Sequence, residues 1–290
     1  MLASCCTFWT ECEYMKKHLI SSLFIAVLFT ACSTDQVEPI AEPVLVPYAI
    51  YQLDNPDFDT SAPQIVRSYT YNLQGQISEL RLRVYGLNTY DRTSYFNYDQ
   101  NGKVIFLTQD GIENRRHNFL YEGGQVKYAQ SPYGRSEFLY DGANRLRVRI
   151  DTTGSVVNPV RADSLLYSYT DSGITIRRII RYLSYGTEGE AQPNYFFFDK
   201  SIKNPFENVK SDLSCLHFSL VDFTSNLRFK QNGFVSKFKM VYKTGRIDIN
   251  IDNTVVKYKQ GSNYPELIKV NHLNFGNSSE YYLYILYREY

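Results

Sequence analysis

The sequence predicts an all-β chain: an antiparallel meander of successive β-hairpins forming one long, twisted, curved sheet, with at most one short helix near residues 204–217. Three observations predict it. A short phrase recurs, in which an aromatic, any residue and a second aromatic lead into a four-step turn ending in Gly or Asn. The segments after those turns alternate apolar and polar residues, as in Leu146, Val148 and Ile150 against Arg145, Arg147 and Arg149, the period-2 signature of a strand with one covered face. The 26 tyrosines and 18 phenylalanines favour strands over helices.

Before the repeats, the chain reads as three segments. Residues 1–14, with Cys5, Cys6, Cys12 and two acids, read as a mis-assigned start. Residues 15–31 hold Lys16 and Lys17, an apolar run from Leu19 to Phe29 too short for a stop-transfer helix, and the small Ala31, which together make a secretory signal. Residues 32–47 are acidic, contain Pro39, Pro43 and Pro47, and suit an extended tether. The repeat domain is expected over 48–290. With the leader gone, Cys215 is the one thiol beyond Cys32, so the fold must rest on its core rather than on a disulfide. The signal resembles that of bacterial lipoproteins, in which a cysteine after a small residue is lipidated. That resemblance implies a lipid on Cys32 and a place in the bacterial envelope, on the outer membrane facing the periplasm or the cell surface.

In each repeat the two aromatics lie two apart and share a face. Asn72, Asp99 and Asp141 can accept backbone hydrogen bonds at a turn's first position. The structural turn residues are Gly75, Gly102, Gly124, Asn144, Gly173 and Gly233, where a left-handed conformation is expected. Asn144 fits, because Asn tolerates that conformation best after Gly. Irregular spacing of the copies argues against a rigid solenoid. Asn204, Pro205 and Glu207 form a helix-start pattern. The C-terminal YYLYILYREY is apolar on both faces and reads as a buried strand.

"YDQNGKV" from Tyr98 and "YDGANRL" from Tyr140 resemble the YD repeats of the RHS family, where β-strands wind into a shell around a toxin. Only the hairpin unit carries over, since few copies are present and no toxin domain follows. The whole pattern, with "FFFDKSIKNPFENV" at 196–209, is similar to uncharacterised Bacteroidetes-type lipoproteins with degenerate YD-like repeats, a resemblance that implies no activity.

Little in the sequence points to chemistry. The chain carries 31 basic and 30 acidic side chains, and losing Lys16, Lys17, Glu11 and Glu13 leaves the balance unchanged, which gives no basis for nucleic-acid binding. Cys215 and His217 could share a strand face, but nothing nearby completes a metal site or a nucleophile's triad. No metal or cofactor is expected. Tyr71, Tyr98, Tyr121 and Tyr140 are candidates for stacking against a ligand such as a sugar, although cross-strand tyrosines also stabilise a sheet directly. The sequence therefore reads as an envelope-anchored lipoprotein, a non-catalytic scaffold or binding module for protein or glycan. The rival reading is an envelope enzyme acting on glycans, with paired acids at one end of the sheet.

Overall fold

The computed structural model describes residues 44–290, apart from 58–62, 87–88, 155–158, 184, 212–225, 227–228 and 242–246. The signal, Cys32, most of the tether, Cys215 and His217 lie outside the described residues. Sixteen strands follow one another: β1 (Leu45–Leu53), β2 (Ile65–Tyr71), β3 (Ile77–Val84), β4 (Tyr90–Tyr98), β5 (Val104–Gln109), β6 (Ile112–Glu122), β7 (Gln125–Ser131), β8 (Gly134–Tyr140), β9 (Leu146–Gly154), β10 (Pro159–Tyr169), β11 (Gly173–Tyr182), β12 (Thr187–Asp199), β13 (Phe234–Val241), β14 (Ile247–Tyr258), β15 (Pro265–Asn274) and β16 (Asn277–Glu289). The first strand takes in Leu45 to Pro47, so folded structure begins inside the segment expected to be tether.

Each strand pairs antiparallel with its sequence neighbours, as a meander requires. The sheet does not stay open, however. β1 pairs with β16 along most of its length, from Leu45 opposite Glu289 to Leu53 opposite Tyr282, and closes a 16-stranded barrel. Closure removes both sheet edges at once. It also explains the C-terminal segment. Leu283 and Ile285 point inward and are buried, while Tyr282 and Tyr284 on the outer face hand their hydroxyls to Glu280 and Glu266. That strand is a central one, paired on both sides, and its outer tyrosines are amphipathic enough to face water.

A 16-stranded barrel is wide enough to leave an aqueous channel. Here one end is blocked from within. The long connection between β12 and β13 turns into that end, and Phe206, Val209 and Phe229 are buried there. Phe206 meets Tyr69 edge-on, with ring centroids 5.4 Å apart, and Phe229 packs on Phe196 at 5.0 Å. The polar groups of this plug are tied to the wall. Asn204 Nδ2 donates to the carbonyls of Asn226 and Gly233, Ser211 Oγ accepts from the Ile77 amide, and Asn208 Nδ2 donates to the Leu45 carbonyl. Asn204 Oδ1 accepts from the Phe206 amide, but the chain makes two successive turns over 204–209 instead of a helix. The capping chemistry read from the sequence is present, and Asn204 spends its remaining bonds on the barrel rather than on a helical turn; residues 212–217 of the expected helix lie outside the described residues.

Candidate functional site

The repeated phrase builds the plugged end. Asn72, Asp99 and Asp141 each accept, through one side-chain oxygen, the backbone amides two and four residues on, at 2.9–3.0 Å. Gly75, Gly102 and Asn144 close these turns at φ +77°, +78° and +61°. Gly124 (φ +89°) and Gly233 (φ +110°) are also left-handed. Gly173 departs from the expectation: it opens β11 without a positive φ, and glycine is needed there because a Cβ would sit 2.4 Å from the Phe196 carbonyl oxygen.

The first aromatics, Tyr69, Phe96, Phe119, Phe138, Tyr167 and Phe196, form a buried level around the barrel interior. The second aromatics do something the sequence reading missed. Each reaches back to the preceding strand and donates its hydroxyl to a carbonyl: Tyr71 to Pro47 (2.6 Å), Tyr98 to Ile77 (2.6 Å), Tyr121 to Val104 (3.0 Å), Tyr140 to Val126 (3.1 Å) and Tyr169 to Leu146 (2.8 Å). Tyr287 repeats the bond to Pro265 in the last hairpin. The bonds of Tyr98, Tyr121, Tyr140 and Tyr169 each staple one hairpin to the one before it. Burial raises the Tyr98 hydroxyl to about 12 and pushes Tyr71 higher still, so both donate as neutral phenols. Cations already lie over several of these rings: Arg288 over Tyr71, Lys103 over Tyr121 and Arg145 over Tyr169, at 4.9, 5.2 and 4.8 Å from the ring centres. Tyr121 and Tyr140 line a second hollow of about 640 Å³ between the turns and the plug's Phe229–Asn232 stretch.

The opposite end of the barrel holds a cavity of about 670 Å³, walled by the inner faces of β2 to β10. Its apolar floor includes Leu80, Phe96, Leu107 and Phe119. Above that floor the wall becomes charged. Arg67 and Arg149 are both buried, at 5% exposure, and Arg92 stands nearer the mouth beside Tyr90. Arg149 Nε donates to Asp151 at 2.6 Å, and Ser136 Oγ donates to the same carboxylate. Asp163 accepts from Arg161 at 2.7 and 2.9 Å and from Arg178. His117, Gln109, Ser94 and Ser131 complete the polar lining. Apart from Arg178, which lies in the arginine-rich ITIRRIIRYL stretch, none of these residues stands out in the sequence as part of a site. Their signal was present, as arginines and aspartates at inward positions of alternating strands, but it showed only once the inner face was known.

Asp151 and Asp163 are direct cross-strand partners of β9 and β10, so their Cβ atoms lie about 5 Å apart. Two acids side by side on neighbouring strands are the raw material of a glycosidase's carboxyl pair. Such a pair needs one carboxyl held protonated near neutral pH. Burial raises Asp163, but the hydrogen bonds from Arg161 and Arg178 outweigh it and hold the group below the usual carboxylate range. Asp163 is therefore a fixed anion and a poor general acid. Among the described residues no three His, Cys, Asp or Glu side chains gather as metal ligands.

The outer wall is the converse of a lipid-facing one. Arg81 and Arg83 pair with Asp91, Arg177 with Glu190, Arg181 with Glu188, Lys237 with Asp252 and Lys269 with Glu280, each across neighbouring strands. Arg81, Arg177, Lys237 and Lys269 all lie mid-strand. A lipid-facing band would exclude them, since one Arg or Lys at the bilayer midplane costs about 2–4 kcal/mol.

Comparison with known proteins finds the fold and no activity. The chain resembles the crystal structure of a porin-like protein from Bacteroides uniformis at a TM-score of 0.50, with 9% identity, over 85% of this chain and 98% of that one. A porin-like protein from Bacteroides vulgatus matches at 0.38, with 10% identity, over 84% and 98%. A Photorhabdus luminescens Tc holotoxin pore matches at 0.30, with 9% identity, over 77% of this chain and 10% of that chain. The first of these likenesses shows a shared barrel architecture. No family model matches the chain, and no curated protein does.

Proposed function

We propose that the protein is an envelope-anchored, non-catalytic binding module: a barrel that stands in water, is stoppered at its turn end, and takes a ligand through its other end. The carrying observation is the pairing of a plugged turn end with a charged outer wall. A transmembrane pore needs the opposite on both counts, an unobstructed lumen and an apolar exterior. β1 starts at the plugged end, where Leu45 receives the Asn208 side chain, so the mouth lies at the far end of the barrel from residue 45. Membrane attachment then falls to the lipid on Cys32, and the Bacteroides source of the barrel neighbours agrees with an envelope location.

The test is detergent phase partition of the full chain expressed in a bacterial host. The native protein enters the detergent phase, and Cys32→Ala moves to the aqueous phase with an unchanged β-sheet circular dichroism spectrum. Retention of folded Cys32→Ala in the detergent phase would contradict the proposal. The enzyme reading keeps one supporting observation, the opposed Asp151 and Asp163. It requires glycan hydrolysis that Asp163→Asn abolishes, and the non-catalytic reading requires that no such activity be found.

A further inference from the structure

We propose that the open cavity binds an acidic sugar, a small carbohydrate bearing a carboxylate or a sulfate ester. The inference rests on the binding-module reading above and adds the ligand's chemical class. The cavity wall of β2 to β10 carries Arg67, Arg92 and Arg149 with the carboxylates Asp151 and Asp163, and Arg161 and Arg178, on β10 and β11, pair with Asp163 at its edge. Both acids are already engaged, Asp151 by Arg149 and Ser136 and Asp163 by Arg161 and Arg178. Among the described residues these groups therefore carry a formal surplus of positive charge in a recess where water screens poorly. Such a surplus is compensated best by an anion that enters with the ligand.

The form of the cations narrows the choice. All of them are guanidinium groups, whose planar fork matches a carboxylate or sulfate bidentately and holds its charge at every accessible pH. Asp151 and Asp163 fix the orientation of Arg149, Arg161 and Arg178 beforehand, which lowers the ordering cost on binding. The remainder of the lining suits a hydroxylated body. Ser94, Gln109, Ser131 and Ser136 offer donors and acceptors, and Tyr90 and Tyr133, 45% and 66% exposed, stand at the mouth where a sugar ring can lie against them. The volume falls within the range of about 300–1,000 Å³ typical of small-molecule sites.

Isothermal titration calorimetry of the purified full chain tests this, with glucuronate, glucose 6-sulfate and glucose as probes. An acidic probe binds at least about tenfold more tightly than glucose, because losing a charge-assisted hydrogen bond is worth about that factor. Arg92→Gln, a substitution at the exposed mouth, weakens the acidic probe about tenfold and leaves the melting temperature within about 2 °C, since exposed changes alter stability little. Arg149→Lys, which keeps the partner of Asp151, weakens it as well by losing the bidentate fork. Glucose binding as tightly as either acid, no heat with any probe, or an unchanged affinity in Arg92→Gln would each overturn the proposal. Preference for glucose would leave the binding-module reading standing, whereas folded Cys32→Ala in the detergent phase would strike that reading without touching the cavity's chemistry.

Discussion

Replacing Tyr98 by Phe deletes one oxygen and nothing else. In the native barrel that hydroxyl donates to the Ile77 carbonyl at 2.6 Å and lies 2.8 Å from Ser211 Oγ, which in turn accepts from the Ile77 amide at 2.8 Å. Ser211 has no exposed surface, so water cannot take the place of the lost oxygen at the serine. The variant leaves a buried carbonyl and a buried hydroxyl short of a partner, at a cost of about 1–3 kcal/mol. For a chain of this size each kcal/mol lowers the melting temperature by about 2–4 °C, so Tyr98→Phe should melt about 2–12 °C lower. Tyr140→Phe serves as the comparison. Its hydroxyl donates over a longer distance, 3.1 Å to the Val126 carbonyl, so its loss should be the smaller. Urea unfolding followed by circular dichroism should show a reduced midpoint with an unchanged slope for Tyr98→Phe. An unchanged midpoint would refute the idea that these hydroxyls hold adjacent hairpins together. A lost ligand affinity with unaltered stability would assign the tyrosines to binding instead.

Further predictions follow from the same contacts. Phe206→Ala empties the centre of the plug and should cost about 3–5 kcal/mol in chemical denaturation, as truncation of a fully buried Phe does. Gly173→Ala should destabilise although its φ is ordinary, because the new Cβ meets the Phe196 carbonyl, while Asn144→Gly at φ +61° should be neutral or slightly stabilising in the same assay. Asp99 and Asp141 are held low first by the backbone amides of Lys103 and Arg145, and Asp91 is held at about 2 first by Arg81. Their folded values lie below the ordinary 3.8, so their contribution is present above that value and lost as pH falls through the folded one; melting temperature should be flat near neutrality and decline below about pH 4. High salt should leave the barrel folded, since the outer ion pairs are exposed and each contributes little.

Much of this architecture was legible in the residues. Turn, strand and hairpin all followed from local rules, because Asx acceptors, left-handed glycines and alternating side chains act within a few positions of themselves. Closure was not, since the β1–β16 pairing joins Leu45 to Glu289 and no local rule reaches that far. The hydroxyl staples could have been found. The first aromatic of the phrase varies between Tyr and Phe, as in Tyr69, Phe96, Phe119, Phe138 and Tyr167, but the second is Tyr at 71, 98, 121, 140 and 169. A position that insists on the hydroxyl is using it. In β12 the second aromatic is Phe198, and that hairpin carries the plug rather than a tight turn. The helix-start pattern at Asn204 misled because a capping side chain is equally able to satisfy backbone groups elsewhere in the fold. The cavity arginines were missed for a different reason: strict alternation puts Arg149 with Arg145 and Arg147 on the uncovered face, whereas a bulge in β9, where Leu139 faces Val148 and Tyr140 faces Leu146, shifts the period and buries Arg149.

Closure of the barrel is the claim on which plug, cavity and proposed ligand all depend, and a cross-strand disulfide tests it most directly. Tyr51 and Tyr284 are register partners on β1 and β16. In a Cys215→Ser background with Cys32 replaced by Ala, Tyr51→Cys and Tyr284→Cys should oxidise to an intramolecular disulfide in the folded monomer, seen as a mass lower by two hydrogens and a faster band on a non-reducing gel. Free thiols, or cross-links only between molecules, would mean that the two terminal strands do not meet and that the sheet is open.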